Sequence, residues 1–427
     1  MSIIYALSSG VGRAGVAVIR LSGAGVDKVL QSLSGAPPEP RRASLRRLRT
    51  RENETLDHGL VLWFPGPNSF TGEDCAEVQA HGSRAVVAAI MREVSRFEQC
   101  RPAQAGEFAR RAFVNGRTDL IELEALSDLL QAETEAQRRL AVRHADGGLR
   151  ARVETWASAL SSILAETEAD LDFSDEDDVD VDLSGARRGA GALGEEIRDA
   201  LRHAARSEVM RDGFQIAIIG PPNAGKSSLL NRLTGHDAAI VSDVPGTTRD
   251  TIHVRLDLDG VPVGMVDTAG LRETDDTVER IGVDRALAAA ERADLAIWLS
   301  PDLPPPRDFQ GWAVASQRDR FGCEALPNWA EMGVSVKDEA SVAALLGRLR
   351  SAAIARLAPD ADVVVNGRQT ALLESAAGWC QSASALNDNE IFAEALRRAR
   401  HDLALVSGRI APSDVLDDVF SRFCIGK

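Results

Sequence analysis

Gly220-Pro221-Pro222-Asn223-Ala224-Gly225-Lys226-Ser227 follows the apolar run Phe214–Ile219 and leads into Ser228-Leu229-Leu230-Asn231. The apolar run reads as a buried strand and the segment after it as a helix. The stretch between matches the phosphate-loop pattern GxxxxGKS. Each residue type has a physical task. The glycines permit a tight turn that aims backbone N–H groups at phosphate oxygens. Lys226 brings positive charge to the β and γ phosphates, the Ser227 hydroxyl suits Mg²⁺, and the helix N-terminus adds its dipole. Strand, loop and helix in this order predict an α/β nucleotide-binding domain.

Working outward, Pro245-Gly246-Thr247-Thr248-Arg249-Asp250 reads as a first switch loop, with Thr248 completing the Mg²⁺ shell. Asp259-Gly260 predicts a hairpin turn. The return strand Val263–Val266 delivers Asp267-Thr268-Ala269-Gly270, a DxxG motif, in which Asp267 reaches Mg²⁺ through water and the Gly270 amide senses the γ-phosphate. The usual guanine motif, Asn-Lys-x-Asp, is here Ser316-Gln317-Arg318-Asp319. Asp319 can accept from guanine N1–H and the 2-amino group together. The missing Asn and Lys predict the loss of one hydrogen-bonding amide and of one aliphatic stem against the base, hence guanine preference with modest affinity. Ser335-Val336-Lys337 reads as the last base-contacting loop. Candidate GTP contacts are therefore Asn223, Ala224, Gly225, Lys226, Ser227, Ser228, Ser242, Asp243, Val244, Pro245, Gly246, Thr247, Thr248, Asp267, Thr268, Ala269, Gly270, Asp319, Ser335, Val336 and Lys337. Leu271 stands where a water-orienting Gln follows DxxG in Ras-like enzymes. Two residues can replace it. Asn223 offers a carboxamide to a monovalent cation beside the β–γ bridge, and Glu279 offers a carboxylate on the second switch.

The remaining chain has its own pattern. The 427 residues are 44% hydrophobic, which predicts several cores. Short β-rich runs (Ile3–Leu7, Val16–Leu21, Leu60–Phe64) predict an α+β domain over 1–115. Helical periodicity begins with Leu120, Leu123, Leu126, Leu129 and Leu130, predicting a helical part at 116–212. The GTPase segment spans 213–357, and helical character returns over 358–427. The economical reading is one helical domain split by an insertion. The fold class is thus multidomain, α+β and α/β. Gly10–Gly15 spells GxGxxG but leads into a β-type run, so it reads as a turn between strands and not as a dinucleotide site. The acidic run Asp170–Asp182 lacks the glycine of a calcium loop and reads as an inter-helix loop. Six arginines between 41 and 51 read as a solvated loop face. A net charge of −15 argues against indiscriminate nucleic-acid binding. Five scattered cysteines read as free thiols of a cytoplasmic protein, and no stretch has the length of a membrane helix.

Several further segments carry a resemblance. GRAGVAVIRLSG (12–23), FPGPNSFTGEDCAEVQAHG (64–82), AGEFARRAFVNGRTDL (105–120), PPNAGKSSLLN, GTTRD, DTAGLRE, VERIG and the terminal FCIGK resemble the bacterial tRNA-modification GTPase family MnmE, also called TrmE. The resemblance implies an N-terminal domain that forms a homodimer and binds 5-formyltetrahydrofolate, with contacts falling on Arg20, Glu77, Arg117 and Lys427. Arg117 replaces a lysine of some relatives. It implies Mg²⁺ at Ser227 and Thr248, and K⁺ at Asn223, Ser242, Val244 and Thr247, with Ser242 in place of a frequent threonine. The family's catalytic glutamate falls on Glu279. A flavin-containing, MnmG/GidA-like partner is implied, as a heterotetramer that places a carboxymethylaminomethyl-type group on carbon 5 of a tRNA wobble uridine. Cys424 lies in the tail that enters the folate site, where a role in one-carbon chemistry or in positioning stands open. The competing reading is an Era-like or Der-like ribosome-assembly switch, which needs an RNA-binding module; only a helical tail follows residue 357.

Overall fold

The computed structural model describes residues 2–10, 12–173, 182–235, 252–267, 293–321, 326–356, 365–410, 412–421, 423, 425 and 426. Two compact units emerge, one of residues 1–127 with 403–427 and one of residues 128–402.

The first unit is built on a six-stranded sheet of β1 (Ile3–Leu7), β2 (Ala14–Ser22), β3 (Ser44–Arg49), β4 (Thr55–Phe64), β5 (Cys75–Gly82) and β6 (Cys100–Pro102), in the order β3-β4-β5-β2-β1-β6. Its strands are antiparallel except for the β1–β6 pair. Alternation along each strand sends Ile3, Tyr5, Ile19, Leu21, Leu48, Val61 and Val78 into a core with Val29, Leu30, Leu33, Ile90 and Val94 of the helices Val26–Ser34 and Arg84–Ser95. The glycine-rich stretch after β1 is an inter-strand connection, as the β-type run behind it requires. The arginine-rich segment differs from expectation. It contains an edge strand, Ser44–Arg49, paired in antiparallel register with β4. Leu48 is buried, and Arg47 and Arg49 both donate to the Asn53 Oδ1 atom. Charged side chains on an edge strand discourage further pairing.

The chain's last segment returns to this unit. Val419, Phe420 and Phe423 pack against Ala109, Leu120 and Leu123. Ile425 bridges Ala105, and Ser8 Oγ donates to the Gly426 carbonyl at 2.8 Å.

The second unit contains the long helices Gly148–Phe173 and Ser184–Asp212, packed with Gly367–Ser384. The acidic run expected between helices begins inside the first of them, with Asp170–Phe173 helical, and its residues 174–181 lie outside the described residues. The helices flanking the insertion approach closely. A β-carbon at Gly194 would lie 3.0 Å from the Ala377 carbonyl oxygen and 3.2 Å from Cys380 Cβ. Cys380 is fully buried there, and burial pushes its thiol pKa up to about 11. Cys75, Cys100 and Cys380 are free thiols. Among the described residues no helix is long and apolar enough to cross a membrane.

The second sheet comprises β7 (Phe214–Ile219), β8 (Ile252–Leu258), β9 (Val261–Asp267), β10 (Leu295–Ser300), β11 (Trp312–Ala315) and β12 (Met332–Gly333), in the order β12-β11-β10-β7-β9-β8. All pairs are parallel except β8–β9, the hairpin that turns at Asp259-Gly260. Ile216, Ile218, Leu256, Val263, Met265, Ile297, Leu299 and Val314 form its core with Leu229, Leu230 and Leu233 of the helix Lys226–Thr234 and Val342, Leu345 and Leu349 of the helix Glu339–Ala355.

Because the Gly194 contact joins helices from either side of the inserted segment, Gly194→Leu should overpack it. A loss of about 1–3 kcal/mol is expected in denaturant unfolding of the full chain. An unchanged midpoint would show that the helices are not packed this closely.

Candidate functional site

Parallel pairing brings the carboxyl ends of β7, β9, β10, β11 and β12 to one edge of the second sheet. β7 lies between β9 and β10, so consecutive connections leave it to opposite sides. That switch point opens a crevice at the strand ends, where ligands of such sheets bind. The sequence places its phosphate loop after β7, Asp267 at the end of β9, Ser316–Asp319 after β11 and Ser335–Lys337 after β12.

The phosphate loop leaves the sheet where no side chain fits. A β-carbon at Gly220 would lie 1.9 Å from the Leu299 carbonyl oxygen on neighbouring β10. Asn223 holds a left-handed φ of 61°, which asparagine tolerates better than most residues. Gly225, at φ 93°, is the N-cap of the helix Lys226–Thr234. Lys226 is only 6% exposed, and its ammonium donates to the Gly220 and Pro221 carbonyls at 2.7 and 2.9 Å. A buried cation curled over its own loop, at the N-terminus of a helix, is a fixed positive centre for phosphate. Ser227 and Ser228 occupy the first turn of the same helix.

Asp319 begins the base side. Its Oδ1 accepts from Ser335 Oγ at 2.7 Å and its Oδ2 pairs with Lys337 Nζ at 2.9 Å. The hydrogen bond from Lys337, and then that from Ser335, hold its carboxyl below the ordinary carboxylate range. Ser335 is itself fastened by Ser341, whose hydroxyl accepts from the Ser335 N–H at 3.0 Å. The loops after β11 and β12 thus converge on one carboxylate, as the sequence predicts.

Ser316 and Gln317, which stand where the usual motif has Asn and Lys, make contacts of their own with the phosphate loop. Ser316 Oγ, almost fully buried, donates to the Ala224 carbonyl at 2.7 Å. Gln317 Nε2 donates to the Asn223 carbonyl at 2.7 Å. The Gln317 side chain also covers Gly225, where an added β-carbon would meet its Cγ at 3.8 Å. Both side chains thus point at the phosphate loop, Ser316 through its hydroxyl and Gln317 through its carboxamide and stem. A shorter hydroxyl reaches because backbone pairing of Ser316 N–H with the Ser300 carbonyl, at 2.9 Å, draws the loop in. Sequence comparison with the usual motif shows which residues are absent and does not show this reach.

In the first unit, Arg20 and Glu77 are register partners on β2 and β5, and Arg20 Nη2 meets Glu77 Oε1 at 2.8 Å. The Arg20 guanidinium also lies 5.5 Å from the Phe70 ring centroid. The Arg117 stem lies against Gly72, where an added β-carbon would be 3.0 Å from its Cγ. Both arginines therefore abut the 70–72 segment. The sequence did not single out what holds that loop. Arg111 Nη1 pairs with Glu73 at 2.7 Å, Ser22 Oγ and Thr71 Oγ1 share a 2.7 Å hydrogen bond, and Asn115 Nδ2 donates to the Thr71 carbonyl at 2.7 Å. Only the density of polar residues around 69–75 could have signalled it.

Ser242, Asp243, Val244, Pro245, Gly246, Thr247, Thr248, Thr268, Ala269, Gly270, Glu279, Cys424 and Lys427 lie outside the described residues, as does Leu271.

With this geometry in view, comparisons with known proteins are decisive. Residues 120–424 match the model of the MnmE helical domain, and residues 3–117 match that of the GTP-binding protein TrmE N-terminus. A tRNA modification GTPase MnmE of Methylorubrum populi is 47% identical, covering 99% of this chain and 98% of its own. The chain belongs to the MnmE family. The namesakes of Beijerinckia indica and Erythrobacter litoralis are each 44% identical and cover 100% of this chain, with 96% and 100% of their own lengths matched. As a family member, the chain is a GTP hydrolase.

Two outcomes are expected at this site. Gly220→Ala should abolish tight nucleotide binding, measured by fluorescence of a labelled GDP, because the loop cannot leave β7 without moving Leu299. Asp319 has a lowered pKa, so its tether to Lys337 is intact above the ordinary carboxylate range of about 4 and is lost only as pH falls through the lower folded value. GDP affinity relative to that for ADP, whose terminal phosphate titrates alike, should therefore be flat between pH 7 and pH 5. A fall within that window would place the carboxyl's pKa higher.

Proposed function

We propose that this chain is a potassium-activated GTPase that acts on tRNA with a flavin-containing partner, adding a carboxymethylaminomethyl-type group to carbon 5 of the wobble uridine. The carrying observation is the convergence of Lys226, Asn223 and the Asp319–Ser335–Lys337 cluster at one edge of the parallel sheet, in a chain of the MnmE family.

The residues fit their tasks. Lys226 neutralises the β and γ phosphates of GTP when it exchanges the Gly220 and Pro221 carbonyls for phosphate oxygens. Asp319 accepts from the guanine edge, with Ser335 and Lys337 holding it oriented. Ser227, Thr248 and Asp267 are the residues that would hold Mg²⁺, which would supply charge neutralisation to the phosphates. Asn223, with Ser242, Val244 and Thr247, is the proposed K⁺ set; a cation there does the work of an arginine finger, worth roughly 10³–10⁵ in rate. The exposed, loop-crest position of Asn223 supports this reading, since its side chain is free to turn toward the γ-phosphate. Glu279 orients the attacking water and accepts its proton.

For the first unit the reading is a folate-binding homodimer of the cytoplasm. Arg20, Glu77, Arg117 and Lys427 are its proposed contacts. Arg20 and Arg117 are cations suited to a folate's glutamate tail, and the Phe70 ring beside Arg20 suits a pterin face. Leu45 and Leu60, register partners left 72% and 38% exposed, support burial of that sheet face by a second copy. Cys424 is proposed to act in one-carbon chemistry or in positioning at the same site.

GTP hydrolysis by the full chain should run at least about tenfold faster in KCl than in NaCl at matched ionic strength. The difference should vanish in Asn223→Ala, and Glu279→Ala should slow turnover without weakening GTP binding. Equal rates in both salts for the unaltered chain would sink the potassium mechanism.

A further inference from the structure

The loop after β11 faces two ways. Asp319 meets Ser335 and Lys337 on the base side, whereas Ser316 and Gln317 reach in the opposite sense, onto the crest of the phosphate loop. Their acceptors are consecutive carbonyls, Ala224 for Ser316 and Asn223 for Gln317, each at 2.7 Å. Gln317 is held from behind as well, since Arg320 Nη1 donates to its Oε1 at 3.0 Å. Both ends of its carboxamide are thus used, and Arg320 fixes which end points at the loop.

The two residues joined by that bond are conformationally unusual. Asn223 has a φ of 61° and Gln317 a φ of 53°, the left-handed region that side-chain-bearing residues rarely occupy. Such conformations persist where surrounding contacts over-determine them. A crest residue in this conformation turns its neighbours' N–H groups in a way a relaxed backbone does not. A tether on its carbonyl holds that arrangement before phosphate arrives.

We infer that Ser316 and Gln317 are positioning residues that clamp the phosphate-loop crest, so that this chain preserves nucleotide affinity without the usual Asn-Lys pair. They do not read the base edge, which is left to Asp319. The clamp deepens the nucleotide-site reading above and rests on it. It also makes a specific chemical demand: position 317 needs a donor on a stem long enough to reach the Asn223 carbonyl. Alanine has neither the donor nor the reach. Lysine has both, and loses only the acceptor that Arg320 uses.

The test is binding of GDP and of XDP to the full chain by titration calorimetry, with unfolding temperature measured for each nucleotide-free variant. Gln317→Ala should bind GDP about tenfold more weakly than the unaltered chain, with an unchanged unfolding temperature, because Gln317 is only half-buried and lies outside the hydrophobic core. Gln317→Lys should bind within about threefold of the unaltered chain. Asp319→Asn should exchange GDP preference for XDP, and Gln317→Ala added to it should cost XDP the same factor of about ten. GDP binding by Gln317→Ala within twofold of the unaltered chain overturns the clamp, as does a loss that lysine does not restore or a factor that differs between the two bases. If the unaltered chain binds no GDP, or Asp319→Asn leaves base preference unchanged, the nucleotide-site reading itself fails, and the clamp with it.

Discussion

Parallel pairing of β7 with both β9 and β10 is the constraint on which the nucleotide site depends. Parallel strands end together, so every loop that leaves a carboxyl end is delivered to the same edge. The approach of β10 to the end of β7 is so close that the Leu299 carbonyl oxygen fills the space a Gly220 side chain would need. The turn that follows has one exit, and it aims the backbone at the helix beginning with Lys226. From that point the rest is local chemistry. Lys226 rests on its own loop's carbonyls, Asn223 sits exposed at the crest, and the loops after β11 and β12 close on Asp319 from either side. The sheet supplies rigidity, and the carbonyls and hydroxyls of its loops supply the fastening.

A second constraint acts at the split in the chain. The helices Ser184–Asp212 and Gly367–Ser384 stand on either side of the GTPase segment in sequence, and pack through Gly191 and Gly194 against Ser384, Ala377 and Cys380. Small residues let the helix backbones come together, so an inserted domain begins and ends on one continuous surface. In the first unit the same economy of contact appears at the tail, where Gly106 accepts Phe420 and Gly426 approaches Leu7 with no room for a side chain at either glycine. Phe420 and Phe423 of the tail thereby share a core with Ala109, Leu120 and Leu123.

The departure from the usual guanine motif carries a general lesson about reading substitutions. Residue type at Ser316 and Gln317 announces what has been removed. Function depends on which acceptors lie within reach, and these belong to another loop, more than 90 positions away in sequence. Here a hydroxyl and a carboxamide each reach a carbonyl of the phosphate loop, the carboxamide with an arginine behind it. The edge strand β3 is a milder case. Its arginines suggested a loop by charge alone, while backbone pairing with β4 makes it a strand with Leu48 turned into the core.

The sequence by itself determined the phosphate loop, the strand before it, the helix after it, the hairpin at Asp259-Gly260 and the resemblance to the MnmE family, because each is written in contiguous residues with a local physical requirement. It also singled out Asp319, Ser335 and Lys337 as candidate base contacts by motif, and Arg20 and Glu77 by resemblance; that each set comes together was the structure's to show. Only the tertiary structure decided that Ser316 and Gln317 fasten the phosphate loop, that Arg111 and Glu73 hold the 70–72 segment, and that residues 403–427 complete the first unit's core. Those contacts join segments far apart in the chain, and a distance of 2.7 Å between two such atoms is set by the packing of sheets and helices, which no local stretch of residues encodes.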